Sequence, residues 1–215
     1  MIVTLDAKRR LTVPAGLAPA SPGDYFDARF DAEEDALVFR RLPSKENWLA
    51  VLKACPVSPD DVPRRAAGAG AAPPPLSEAM SWLLDTDVIC QPAKRHGDVR
   101  VVAWLEKEQD RCYTSAVVIA QLAYWVRTKD GRQRRVLQAW LTRLVDALQG
   151  RIHGFNVSVA HVWAEQERLL EHRMPVEDSY IAATARRHGL TIATGNDQDF
   201  RRPGLKVFNP FKELT

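Results

Sequence analysis

Ser81-Trp82-Leu83-Leu84-Asp85-Thr86-Asp87-Val88-Ile89 is the stretch that most constrains how this chain folds. It runs as a short apolar strand and then stops on a carboxylate, a hydroxyl and a second carboxylate. A strand ending in this way belongs at the carboxyl edge of a sheet, where open α/β folds place their chemistry. Taken alone, the same residues also fit a strand followed by a turn or by a capped helix start. Two distant pieces bear on the choice. One is Pro175-Val176-Glu177-Asp178-Ser179-Tyr180-Ile181-Ala182-Ala183-Thr184-Ala185, and the other is Leu190-Thr191-Ile192-Ala193-Thr194-Gly195-Asn196-Asp197-Gln198-Asp199-Phe200.

The chain has 215 residues, room for one large domain or two small ones. Its formal net charge of +3 permits nucleic-acid contact without demanding it. No apolar run approaches the roughly 20 residues of a bilayer span. The first residues lack the basic start and apolar middle of a signal peptide, so no membrane partner and a cytoplasmic location are expected. Cys55, Cys90 and Cys112 are odd in number and scattered, which argues against a disulfide framework and against a zinc cluster. The histidines show no paired ligand spacing either.

Between and around the three pieces the chain reads as alternating helices and strands. Residues 99–109 form an amphipathic helix and 111–114 a short strand, after which Ser115 caps a helix to about residue 128. Asp130-Gly131 breaks it. Residues 132–149 carry Val136, Leu137, Trp140, Leu141, Leu144, Val145 and Leu148 at helical spacing. Residues 152–157 are strand-like, Ser158 caps a helix to residue 172, and Pro175 leads into the next. There Ile181, Ala182 and Ala185 face the core, with Asp178 one turn earlier on the same side. Residues 190–194 and 205–208 are the remaining strands. Asp178 also fits a plain first-turn acid favoured by the helix dipole. Arg127, Lys129, Arg132, Arg134 and Arg135 are a basic stretch that suits either RNA guidance or a solvated helix end.

In their order, the three pieces resemble the PIN-domain ribonucleases, most closely the VapC toxins of bacterial toxin–antitoxin pairs, from about residue 80 onward. The resemblance implies an α/β fold, a parallel sheet flanked by helices, and a metal-dependent endoribonuclease acting on RNA with Mg²⁺ or Mn²⁺. It marks Asp85, Gln121, Asp178, Asn196 and Asp199 as the catalytic set, with Asp85 and Asp178 as metal ligands. Thr86, Ser115 and Thr194 match positions that line the substrate, and Asp87 is expected to stabilise a turn. Two residues depart from the pattern. Gln121 stands where the family ordinarily carries glutamate, and an amide keeps the shape but not the charge that hard divalent ions prefer. Gly195 replaces a larger, often basic residue, whose loss removes a phosphate contact. Both changes point to weakened activity.

The segment before residue 43 has a different character. Residues 2–5 and 11–13 read as strands around Asp6-Ala7-Lys8-Arg9, and Ser21-Pro22-Gly23-Asp24 is a turn. In residues 25–30, Phe26, Ala28 and Phe30 alternate with Asp27 and Arg29 as in a half-buried strand, and residues 36–40 are the last strand. Four short strands bury little core alone, so association is expected. Lys8-Arg9-Arg10-Leu11-Thr12-Val13-Pro14 and Pro22-Gly23-Asp24 resemble the AbrB-like swapped-hairpin domains of VapB antitoxins. That likeness implies at least a homodimer and makes Lys8, Arg9 and Arg10 contacts to operator DNA. A glycine common in the first turn is absent, and the three cations also suit a hairpin that is merely soluble.

In residues 43–65, Trp48, Leu52 and Cys55 share a helical face flanked by Leu49 and Val51. A stripe this short is not stable by itself and needs a groove. The antitoxin resemblance places Trp48 and Leu52 in the toxin's groove and delivers Arg64 or Arg65 into its acidic pocket, where a guanidinium pairs with carboxylates. Residues 66–79 are an Ala/Gly/Pro linker. It spans on the order of 50 Å when extended, so inhibition in cis and in trans are both open. The expected organisation is thus residues 1–42 for DNA binding and dimerisation, 43–65 an antitoxin tail, 66–79 a linker and 80–215 a PIN-domain toxin. The competing expectation is a DNA-binding repressor whose PIN-like module is catalytically inactive.

Overall fold

The structure, a computed structural model, describes residues 14, 16, 26–31, 36–41, 47–56, 80–168 and 174–214. The chain divides into two compact units, Met1–Leu42 and Pro43–Thr215. In the first, β1 (Phe26–Asp31) and β2 (Ala36–Arg41) pair antiparallel, with Phe30 opposite Leu37 and Ala28 opposite Phe39. The period of two collects Phe26, Ala28, Phe30, Leu37 and Phe39 on one face. Phe30 and Leu37 are each 61% exposed. The described part of this unit is a single layer, and an apolar face of that kind is stabilised by a second layer over it. The strands expected at 2–5 and 11–13, and Lys8, Arg9 and Arg10, lie outside the described residues.

The second unit is built on a five-stranded, all-parallel sheet. Its strands are β3 (Trp82–Leu84), β4 (Cys112–Ser115), β5 (Ile152–His153), β6 (Thr191–Ala193) and β7 (Val207–Phe208), in the order β5-β4-β3-β6-β7. The central strand β3 is wholly apolar and buried along its length, as a parallel strand covered on both faces must be. From β3 the chain winds outward through β4 to β5, crosses back to β6 and winds the other way to β7. The winding therefore reverses between β3 and β6, and a crevice opens at their carboxyl ends.

The helices form where local chemistry favours them. α2 (Thr86–Ile89) starts at Asp85, and α3 (Val99–Glu108) at Asp98, whose side chain accepts the Arg100 N–H. Ser115 caps α4 (Ala116–Arg127) by accepting the Val118 N–H at 3.2 Å. α5 (Gly131–Ala147) buries Leu137, Trp140, Leu141 and Leu144. α7 (Val176–His188) ends on Gly189 in the left-handed region at φ 67°, the usual helix stop. Among the described residues no helix is long and apolar enough to cross a membrane.

Several local expectations are corrected. The strand expected over 152–157 is only Ile152–His153, and Asn156, not Ser158, opens α6 (Val157–Arg168): its side-chain oxygen accepts the Val159 N–H at 3.1 Å. The terminal strand expected over 205–208 shrinks to Val207–Phe208. Two short helices, α8 (Asp197–Phe200) and α9 (Pro210–Glu213), stand where none was expected. Burial pushes the Cys90 thiol up to about 12, so this cysteine is an inert core side chain.

α1 (Trp48–Lys53) belongs to this second unit. Trp48, Leu49, Val51 and Leu52 are buried in its core, and Trp140 of α5 donates its indole N–H to the Val51 carbonyl at 2.8 Å. Lys53 pairs with Glu106 of α3, and Asn47 bonds Gln109 at 2.8 Å. The short stripe lies in a groove of the parallel-sheet unit.

Asp197, buried at the start of α8, ties the C-terminal turn down. Its carboxylate accepts from Asn209 at 2.7 Å, Lys212 at 2.9 Å and Arg201 at 2.7 Å. Burial opposes its ionisation, but the Lys212 and Asn209 hydrogen bonds and the two cations outweigh it and hold the carboxyl below its ordinary 3.8. A depressed carboxyl contributes stability above the unfolded value and loses it as the pH falls through the folded one. Acid titration of the melting temperature should therefore show a drop below about pH 4 that Asp197→Asn flattens.

Candidate active site

Asp85 follows β3 at the β3/β6 crevice and is fully buried. One oxygen of its carboxylate accepts the Thr86 N–H at 2.7 Å, and the other accepts the Thr194 hydroxyl at 2.9 Å. Thr194 follows β6, so this hydrogen bond spans the crevice. A side chain held at both oxygens has one orientation, which is what a ligand or base must have before it can act.

From Asp85 the network runs outward. The Thr86 hydroxyl donates to the Gln121 carbonyl oxygen on α4, and the Gln121 amide donates to the Glu177 carboxylate on α7. Gln121 thus bridges the first turn of α2 to the first turn of α7, where Asp178 is buried next to Glu177. Asp85, Thr86, Gln121 and Thr194 form one run of hydrogen bonds, and Glu177 places the turn that carries Asp178 at its far end.

The other expected residues are placed differently. Ser115 is wholly buried as the cap of α4. Asn196 donates its amide to Asp199 three residues on, and its backbone N–H reaches the Thr194 hydroxyl at 3.0 Å. The Asp87 carboxylate accepts the Gly195 N–H at 2.8 Å, 108 residues away in sequence, and so holds the loop after β6. Gly195 also acquires a structural reason. A Cβ there would lie 2.6 Å from that Asp87 oxygen and 3.0 Å from the Phe211 ring, so any side chain has to displace the carboxylate. Trp48 and Leu52 are core residues of α1, and Arg64 and Arg65 lie outside the described residues. Sequence reasoning did not single out Glu177 or Asn209. Glu177 sits beside Asp178 in a recognised first turn, and Asn209-Pro210 is an ordinary helix-start signal.

The side chains of Asp85, Thr86, Thr194 and Asp178 offer only oxygen as ligand atoms, the kind that Mg²⁺ and Mn²⁺ take. In kind, then, the residues fit such an ion, with Asp85 and Asp178 as carboxylates. In charge they are reduced, since Gln121 contributes a neutral amide. Among the described residues no three His, Cys, Asp or Glu side chains gather as a cation site.

Comparison with known proteins follows the same region. A PIN-domain profile matches residues 82–205. Toxin FitB of Neisseria gonorrhoeae is 34% identical over 137 residues, 61% of this chain and 99% of the relative. VapC ribonuclease Y4jK of Sinorhizobium fredii is 31% identical over 136 residues, 60% of this chain and 97% of the relative. Among solved structures, FitAB bound to an IR36 DNA fragment aligns at TM-score 0.55 and 32% identity, over 60% of this chain and 95% of that one.

Proposed function

Because the chain belongs to the PIN-domain family, we propose that residues 80–215 are a toxin-type endoribonuclease, attenuated by Gln121 and covered by its own antitoxin-like segment. The observation that carries this reading is the hydrogen-bonded run Thr194–Asp85–Thr86–Gln121–Glu177 across the sheet's switch point. Asp85 and Asp178 are the residues that would hold Mg²⁺ or Mn²⁺. When bound, the ion supplies charge neutralisation at the phosphate and a water of lowered pKa.

The chain's own side chains do the rest. Thr194 and the Thr86 N–H orient the Asp85 carboxylate. The Gln121 bridge ties the first turn of α2 to the first turn of α7, the turn that carries Asp178. A bridge of neutral charge attracts a cation less than a carboxylate does, which is the physical reason for low activity.

α1 corresponds to the antitoxin part of the reading. Its burial among α3, α5 and the turn after α2 supports a tail seated in the toxin's groove, with Trp48 and Leu52 as anchors. Residues 1–42 correspond to the DNA-binding part, with Lys8, Arg9 and Arg10 on operator phosphates and the open apolar face of β1 and β2 joined to a second copy. The DNA fragment in the FitAB structure is consistent with that assignment.

Incubating the full chain with single-stranded RNA and Mn²⁺ tests the reading. Slow cutting is expected, abolished by EDTA and reduced by at least about a thousandfold in Asp85→Asn, a loss of roughly 4 kcal/mol of transition-state stabilisation. Equal cutting by both chains would refute it. One observation favours a second reading, a repressor whose PIN body is inert: the Gln121 amide is satisfied at both ends by protein groups. In that case operator DNA is retained and no metal-dependent cutting appears even after the charge is restored at 121.

A further inference from the structure

The loop after β6 carries Thr194 and Asn196, and something must hold it still. Its central residue, Gly195, is gripped at both peptide groups. Asp87 of α2 accepts its N–H at 2.8 Å, and the Asn209 side-chain amide donates to its carbonyl at 3.0 Å. The same amide nitrogen donates to Asp197 at 2.7 Å, and the Asn209 side-chain oxygen caps α9 by accepting the Phe211 N–H at 3.1 Å. Asn209 is 1% exposed, and the ring of Phe211 closes against Gly195. The C-terminal turn is therefore built onto the back of the loop whose front bonds Asp85.

We propose that Asn209 is a positioning residue of the nuclease centre, acting with Asp87 as a clamp on Gly195 that aims the Thr194 hydroxyl at Asp85. This inference rests on the nuclease reading above. With both peptides beside Gly195 fixed, the Thr194 hydroxyl has one place to be: donating to Asp85 while accepting the Asn196 N–H at 3.0 Å. Loosening the clamp frees that hydroxyl, and the Asp85 carboxylate loses one of the two bonds that orient it. Groups that orient metal-binding carboxylates typically matter to metal affinity by about 10–100-fold.

The test uses the full chain carrying Gln121→Glu, with free Mn²⁺ read by electron paramagnetic resonance, RNA cleavage by kcat and KM, and stability by thermal melting. Asn209→Ser keeps a cap for α9 but removes both amide donors. It is expected to weaken Mn²⁺ binding by about tenfold or more and to lower kcat while leaving the KM for RNA unchanged. Gly195→Ala opens the same clamp from the other side and should do the same, which covers a failure of Asn209→Ser to fold. The control is Arg100→Ala. It releases the tail at the Phe211 and Leu214 carbonyls, bonded at 3.2 Å each, while keeping both groups that hydrogen-bond Gly195. It should lower the melting temperature and leave Mn²⁺ binding alone.

The proposal is overturned if the parent binds Mn²⁺ and both clamp variants bind it equally well, or if Arg100→Ala weakens binding as much as they do. A parent that neither binds Mn²⁺ nor cuts RNA overturns the nuclease reading itself and takes the clamp's role with it.

Discussion

Replacing Gln121 by glutamate should raise Mn²⁺-dependent RNA cleavage by at least about tenfold, the factor that follows from roughly 1.4 kcal/mol of added transition-state stabilisation. Gln121 makes two bonds, accepting from Thr86 and donating to Glu177. Glutamate can still accept from Thr86. It cannot donate to Glu177 when ionised, so the substitution turns a hydrogen bond into two facing carboxylates. In EDTA the variant should therefore be less stable than the parent, by about 0.5–1.5 kcal/mol for a lost bond at a partly exposed position. Mn²⁺ should reverse the sign. An ion that binds only the folded chain at about a hundred times its dissociation constant adds about 2.7 kcal/mol. Lower melting in EDTA and higher melting in Mn²⁺, both relative to the parent, is a signature that simple damage does not produce.

Leu52→Ala should have the largest effect on stability. Leu52 is 0% exposed in the core between α1 and the rest of its unit, and truncating such a leucine costs about 2–5 kcal/mol. For a unit of this size that is a fall in melting temperature on the order of 10 °C. The second readout separates two roles for α1. Seated as an inhibitory tail, α1 opens more often when its anchor is trimmed, so RNA cleavage by the Gln121→Glu chain should rise at a temperature where both chains remain folded. Belonging simply to the core, α1 takes activity down with it. A rise in cleavage alongside lower stability supports the antitoxin-like assignment, and a parallel fall contradicts it.

The elements that were legible in the sequence are those whose cause is local. β3, α3, β4, α4, α5, α7 and β6 each announce themselves through an apolar run, a 3.6-residue stripe or a capping side chain, and they fall within a few residues of where those signals end. β5 and β7 shrank because strands of two residues at the sheet margins are set by pairing with β4 and β6, not by their own composition. α8 and α9 were missed because four-residue helices have too little periodicity to read.

At the site, the legible part was again local. Neighbours in sequence place Asp85 at a strand end and Asp178 in a first turn, while their role as ligands is implied by the family resemblance alone. The bond from Gly195 to Asp87 was not legible, since Gly195 lies in the loop after β6, 108 residues on, and only the parallel register of β3 with β6 brings that loop to α2. Gly195 was read only as a lost phosphate contact, and the close approach of the Asp87 carboxylate, which a Cβ there would displace, was not foreseen. Glu177 and Asp178 are consecutive acids roughly 100° apart around a helix, and which of them is buried depends on how α7 packs. Asn209 before Pro210 carries a helix-start signal that was passed over, and its side-chain amide reaches across to the loop after β6.

The most direct measurement is the position of Mn²⁺ in crystals of the full Gln121→Glu chain, located by anomalous diffraction. The expected result is an ion coordinated by oxygens of both Asp85 and Asp178 at about 2.0–2.6 Å, in the β3/β6 crevice. Saturating Mn²⁺ with no ion at these two carboxylates, or with the only ion elsewhere on the chain, would contradict it.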